Sequence, residues 1–150
     1  MKTILVRSIL ALTASALFIG TTHAENPAWL TDYEKALTQA KAENKAVLLD
    51  FTGSDWCGFC IKMAKETLSK KEFGEYAAKN LVLVEVDFPN AKAQTDEVKK
   101  QNAELQKKFA VEGFPTFVLL SKSGKEIGRQ RGYLEGGPAA FIAKLDEFKK

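Results

Sequence analysis

Two cysteines, Cys57 and Cys60, stand three residues apart in the run Trp56-Cys57-Gly58-Phe59-Cys60, and the sequence contains no others. Three residues make about one helical turn, so sulfurs at this spacing can bond, part and bond again. Where the first cysteine opens a helix, the free N–H groups and the positive end of the helix dipole stabilise its thiolate, the form that attacks disulfides. A purely structural disulfide is the alternative in an exported chain. A loop this short, however, restricts the unfolded chain little and so stabilises little. The spacing favours redox chemistry.

The rest of the composition narrows the choice. The 150 residues begin with a basic stretch (Lys2, Arg7), continue through an apolar run from Ile9 to Gly20, and reach Thr22-His23-Ala24. That is the plan of a secretory signal peptide, residues 1–24, cleaved after Ala24 to leave one domain over 25–150. The competing reading is a retained anchor, but the run falls short of the roughly 20 residues needed to span a bilayer. Of the 22 Lys and Arg, two leave with the leader, so 20 face the 19 Asp and Glu and the mature charge is near +1. Such a surface gives no reason to invoke nucleic acid or anionic membrane. His23, the only histidine, leaves as well. A Cys-His or Ser-His-Asp hydrolase then lacks its base. Two cysteines supply half of a closed zinc site, so no metal is expected.

The elements that must hold the cysteines follow from periodicity. Trp29, Leu30, Tyr33, Ala36, Leu37 and Ala40 predict a helix over Pro27–Asn44, with Thr31 or Asp32 as its cap. Ala46–Thr52 reads as a buried strand that Gly53-Ser54-Asp55 breaks. A helix is expected from near Cys57 through Met63 toward Leu68, and a second from Ser69 to about Ala78. Leu81–Asp87 is the clearest strand, ended by Pro89. A Lys-rich helix with Leu105 and Phe109 on its apolar edge covers Thr95–Phe109, its charges forming a solvated face. Thr116–Ser121 and Glu126–Tyr133 form a hairpin around Lys122-Ser123-Gly124-Lys125. Gly136-Gly137-Pro138 opens a last helix whose inner face is Phe141, Ile142, Leu145 and Phe148. Strands alternating with helices predict an α/β domain with a central mixed sheet flanked by helices.

With these features in place the sequence resembles the thioredoxin superfamily across essentially the whole mature chain. The resemblance is carried by the strand ending in Asp50 before Trp56-Cys57-Gly58-Phe59-Cys60, by the later strand ending in Asp87, and by Val111-Glu112-Gly113-Phe114-Pro115-Thr116 before the hairpin. It implies a thioredoxin fold with an N-terminal helix and a helical insertion before a cis-proline loop. Cys57 would be the exposed nucleophile and Cys60 the buried resolving thiol. Asp50 would be the buried acid that takes the proton Cys60 loses. An X-Pro bond costs only about 0.5–1 kcal/mol to be cis, which suits Pro115 to that loop. Trp56, Gly58, Phe59, Phe114 and Pro115 would meet the substrate, although packing beneath the loop is the simpler role for Trp56 and both can hold. Three departures stand out. One extra residue separates Asp50 from Cys57, the lysine that partners the buried acid aligns with Leu83, and Phe59 replaces a proline.

These readings describe an exported, monomeric thiol–disulfide oxidoreductase of the periplasm. It would reduce or isomerise disulfides of exported proteins and need no cofactor, because the sulfurs carry the electrons. A membrane or periplasmic thiol donor would recharge it. Alternatives are a dithiol oxidase, a cytochrome c maturation reductase, and a non-enzymatic thioredoxin-fold binding or chaperone module.

Overall fold

The computed structural model describes residues 27–150. The leader expected at 1–24 lies outside the described residues. Five strands, β1 (Trp29–Leu30), β2 (Ala46–Thr52), β3 (Leu81–Asp87), β4 (Thr116–Leu120) and β5 (Glu126–Arg131), form one sheet in the order β1-β3-β2-β4-β5. The first three in that order run parallel, and β4 and β5 are antiparallel to their neighbours. Helices α1 (Tyr33–Glu43) and α4 (Asp96–Lys108) cover one face; α2 (Gly58–Met63), α3 (Lys71–Asn80) and α5 (Gly137–Glu147) cover the other.

Burial on both faces explains why the central strands read as apolar runs rather than alternating ones. Val47, Leu49 and Phe51 of β2 enter the core shared with α1 and α4. Leu48 points the other way, to Met63, Phe73, Phe117 and Phe141. The same alternation carries Asp50 and Thr52 onto the Leu48 face, and Glu85 and Asp87 onto the face of Leu83. Two buried cores therefore flank the sheet, and acidic residues enter one of them near the C-terminal ends of β2 and β3.

Local chemistry sets most element ends. The Asp32 carboxylate accepts from the Lys35 N–H at 2.9 Å and caps α1, and Asn44 closes that helix at φ 56°. Thr95 caps α4 through the Val98 N–H, and Phe109 ends it. The mixed sheet, the hairpin and the terminal helix agree with the sequence-based expectation.

Three expectations need correction. The first helix begins at Tyr33, not Pro27, because Trp29 and Leu30 pair with Leu83 and Val84 as an edge strand. Their side chains pack toward opposite cores, Trp29 toward Phe73 and Leu30 toward Phe51. Two residues alternating across a sheet resemble the start of a helical stripe. The helix after Cys57 passes into a π-helical turn at Ala64–Leu68, and its successor starts at Lys71 and runs to Asn80. The second hairpin strand ends at Arg131, two residues before Tyr133.

Candidate functional site

Cys57 is the N-cap of α2. Its backbone is extended (φ −83°, ψ 105°), and its Sγ accepts the Cys60 N–H at 3.2 Å. Cys60 lies in the first turn of the helix, and the two are joined as a disulfide with Cα atoms 5.2 Å apart. A sulfur at this position faces the unsatisfied N–H groups of a helix start, which favour negative charge on it. Cys60 is 4% exposed, as expected for the inner partner. Cys57 is only 8% exposed in this disulfide form, less open than the sequence suggested. It nonetheless lines a shallow surface depression with Trp56, Gly58, Phe59 and Lys62.

The cysteine loop is fastened on one flank by hydrogen bonds that sequence reasoning missed. Asp87, at the end of β3, accepts from the Ser54 N–H (2.9 Å) and the Ser54 hydroxyl (2.6 Å). Asp55 accepts three consecutive backbone N–H groups, from Asn90, Ala91 and Lys92. Those bonds hold its carboxyl below the ordinary aspartate range. The Trp56 indole N–H donates to the Phe88 carbonyl at 2.7 Å. No periodic signal marks such contacts; only the Ser54-Asp55 turn chemistry hints at them.

Trp56 takes the packing role weighed for it and keeps part of its ring open to solvent. One side of its ring folds back over Gly53, where an added Cβ would meet it at 2.5 Å, so only glycine fits there. The residue is still 47% exposed. Phe114 meets it edge-on at 6.1 Å and stacks on Phe88 at 5.1 Å, which brings the Gly113–Thr116 loop against the cysteine loop. The Phe114–Pro115 peptide is cis, as expected, and Pro115 itself is buried. Gly58 is exposed, and Phe59 is 64% exposed with its ring stacked on Tyr133 at 6.2 Å. The Tyr133 hydroxyl donates to Glu66 at 2.6 Å, and that bond raises its pKa to about 12.

Behind Cys60 lies a cavity that Asp50 and Glu85 also line. Asp50 is 7% exposed, and its Oδ1 has no hydrogen-bond partner among the described residues. Burial, then the charges of Glu85 and Asp87, push its pKa well above the ordinary aspartate value. The extra residue before Cys57 thus leaves Asp50 at the cavity behind the second cysteine. Leu83, the position aligned with the family's lysine, brings no cation to Asp50. Leu83 registers with Leu48 and packs in the apolar core, and the residue opposite Asp50 is Glu85. Glu85 is half-buried, and its own pKa is raised, mainly by burial and then by Asp87. The residue paired with Asp50 on the neighbouring strand is therefore a second carboxyl, not a cation.

Comparison with known proteins agrees with this geometry. A thioredoxin-like domain family matches residues 33–149. The disulfide bond reductase DsbH of Chlamydia pneumoniae is 41% identical over 122 residues, covering 81% of this chain and 72% of that protein. The thiol:disulfide interchange protein DsbD of Actinobacillus pleuropneumoniae is 34% identical over 108 residues, 71% of this chain but 17% of that much longer protein. A solved structure described as DsbH oxidoreductase superposes with a TM-score of 0.78 at 37% identity, covering 94% of each chain.

Proposed function

The chain belongs to the thioredoxin-like family of thiol:disulfide oxidoreductases, and from that membership we propose that it reduces or isomerises disulfides of exported proteins in the periplasm. The observation that carries the reading is the placement of Cys57 at the mouth of α2 with Cys60 one turn behind it. The Cys57 thiolate attacks a client disulfide, one client sulfur leaves, and a mixed disulfide forms. Cys60 then attacks Cys57, the client departs reduced, and the Cys57–Cys60 bond closes. Asp50 serves as the proton acceptor for Cys60.

The surroundings favour the reducing direction. Strong oxidants of this kind owe their potential to a stabilised reduced form. Here Gly58 and Phe59 bring no charge between the cysteines, and two carboxyls line the cavity behind Cys60 without a lysine or arginine among its lining residues. Negative charge near the sulfurs disfavours thiolate and so stabilises the disulfide. The exposed faces of Trp56, Phe59 and Phe114 offer an apolar platform to client polypeptide, beside Gly58 and the Pro115 loop. Export rests on the leader pattern of residues 1–24, and recharging by a membrane or periplasmic thiol donor follows from the oxidising compartment.

The test is equilibration with a glutathione buffer together with reduction of insulin. A potential near the thioredoxin value of about −270 mV supports reduction; one near the strong-oxidant value of about −120 mV overturns it. A Cys60→Ala variant should accumulate mixed disulfides with its clients. The mature protein should begin at Glu25 when isolated from an exporting host.

A further inference from the structure

The cavity behind Cys60 holds two carboxyls, and the thiol cycle uses one. Asp50 and Glu85 are register partners on β2 and β3, strands that lie about 4.8 Å apart. Both line the same cavity as Cys60. The lining residues from β1, α2 and the π-helical turn (Trp29, Ile61, Ala64, Leu68) carry no charge. Two further charges bear on the pair. Asp87, held by Ser54, adds a second negative charge, and the Lys92 ammonium, 2.8 Å from the Ser54 hydroxyl, partly offsets it at Glu85. Asp50 is the more buried of the two carboxyls, and its Oδ1 has no partner among the described residues. Glu85 is half-buried, so water stabilises its charge first.

We infer that Glu85 is a positioning residue for the Cys60 step: its carboxylate, facing Asp50 with no cation between them, decides whether Asp50 holds a proton or accepts one. The inference rests on the dithiol cycle proposed above. In that step the Cys60 S–H bond breaks and the proton passes to the Asp50 carboxylate. The Cys60 sulfur attacks Cys57, the Cys57–Cys60 bond forms, and the bond from Cys57 to the client sulfur breaks. The client leaves as a thiolate that takes its proton from water. Two electrons pass from the enzyme thiols to the client disulfide. While Glu85 is ionised, a second charge on Asp50 is disfavoured, so Asp50 becomes an acceptor only at higher pH. Below that threshold the mixed disulfide persists, leaving time for a client thiol to attack it.

The experiment follows the second release of 5-thio-2-nitrobenzoate when the reduced protein meets Ellman's reagent, as a function of pH. The first release reports Cys57 and the second reports attack by Cys60. Glu85→Gln should move the acid limb of the second rate down by about one pH unit or more, and Glu85→Lys should move it further. Glu85→Asp should leave it near the parental position. Damage to packing would slow the reaction at every pH without moving the limb. A Glu85→Gln limb superimposed on the parent's overturns the inference and leaves the cycle standing. A parent that releases no second equivalent at any pH defeats the cycle instead. In that event, or if the variants do not fold, the 13C carboxyl titration of the oxidised parent decides. Asp50 should show a second inflection where Glu85 titrates; a single independent step overturns the inference.

Discussion

Replacing Asp50 by asparagine in the oxidised protein should change the pH dependence of stability in a direction the cavity dictates. The disulfide removes both thiols from the titration, so the carboxyl acts without them. An unfolded aspartate releases its proton near its ordinary value of 3.8, whereas burial and the neighbouring carboxyls keep the folded Asp50 protonated well above it. Between those two points the folded state binds more protons than the unfolded state. Stability of the parent therefore falls as pH rises through the window, by at most about 1.4 kcal/mol per pH unit from this one group. Asparagine carries no titrating proton, so its contribution is flat. From pH 4.5 to 6.5 the variant should gain on the parent by up to about 2.7 kcal/mol, the full amount if Asp50 stays protonated throughout. In urea this is a relative midpoint shift of roughly 1 M or more, given slopes of about 1–3 kcal/mol per M. An amide that packs less well than the carboxyl adds a constant offset but leaves the slope untouched. Urea unfolding of both proteins at half-unit intervals of pH provides the measurement. Parallel stability curves over that range would refute the claim that Asp50 is held protonated.

Other expectations test the framework around the site. Phe117 is fully buried on β4, in register with Asp50, and packs edge-on against Phe141 at 4.9 Å; Phe117→Ala should cost about 3–5 kcal/mol in denaturant unfolding. Gly53→Ala should push the Trp56 ring off the loop and break its bond to the Phe88 carbonyl. The loss of that bond is worth about 0.5–1.5 kcal/mol, and the emission of Trp56 should move to the red in a Trp29→Phe background. Tyr133 ionises only near about 12 while it donates to Glu66; Glu66→Gln should let it ionise at lower pH, read by absorbance at alkaline pH.

The clearest parts of the fold in the sequence were those with strong local causes. β2 and β3 are apolar runs bounded by breakers, and their ends match the expected residues. α4 is bracketed by a threonine cap and a buried phenylalanine. The cysteine pair and the cis-proline loop announce themselves by residue type. Trp29 and Leu30 were misplaced because a two-residue strand gains its identity from β3, more than fifty residues away. Glu85 was missed for a related reason: counting along one strand does not reveal which residue of the next strand lies opposite. A signal was present, since Glu85 is the one charged residue inside the otherwise apolar stretch from Leu81 to Val86, and lies two positions before Asp87 on the same face. The contacts of Ser54 and Asp55 escaped notice because their partners lie more than thirty residues away, at the end of β3 and in the loop after it.

The clasp formed by Asp55 gives the reactive turn a sidedness. Three successive amides grip a single carboxylate on one edge, while the opposite edge is restrained by the stacking of Phe59 on Tyr133. The two edges of the cysteine loop are therefore held by unlike forces: a carboxylate on backbone amides on one side and ring stacking on the other. Loosening the first edge costs three charge-assisted hydrogen bonds, whereas loosening the second costs only a contact between two rings.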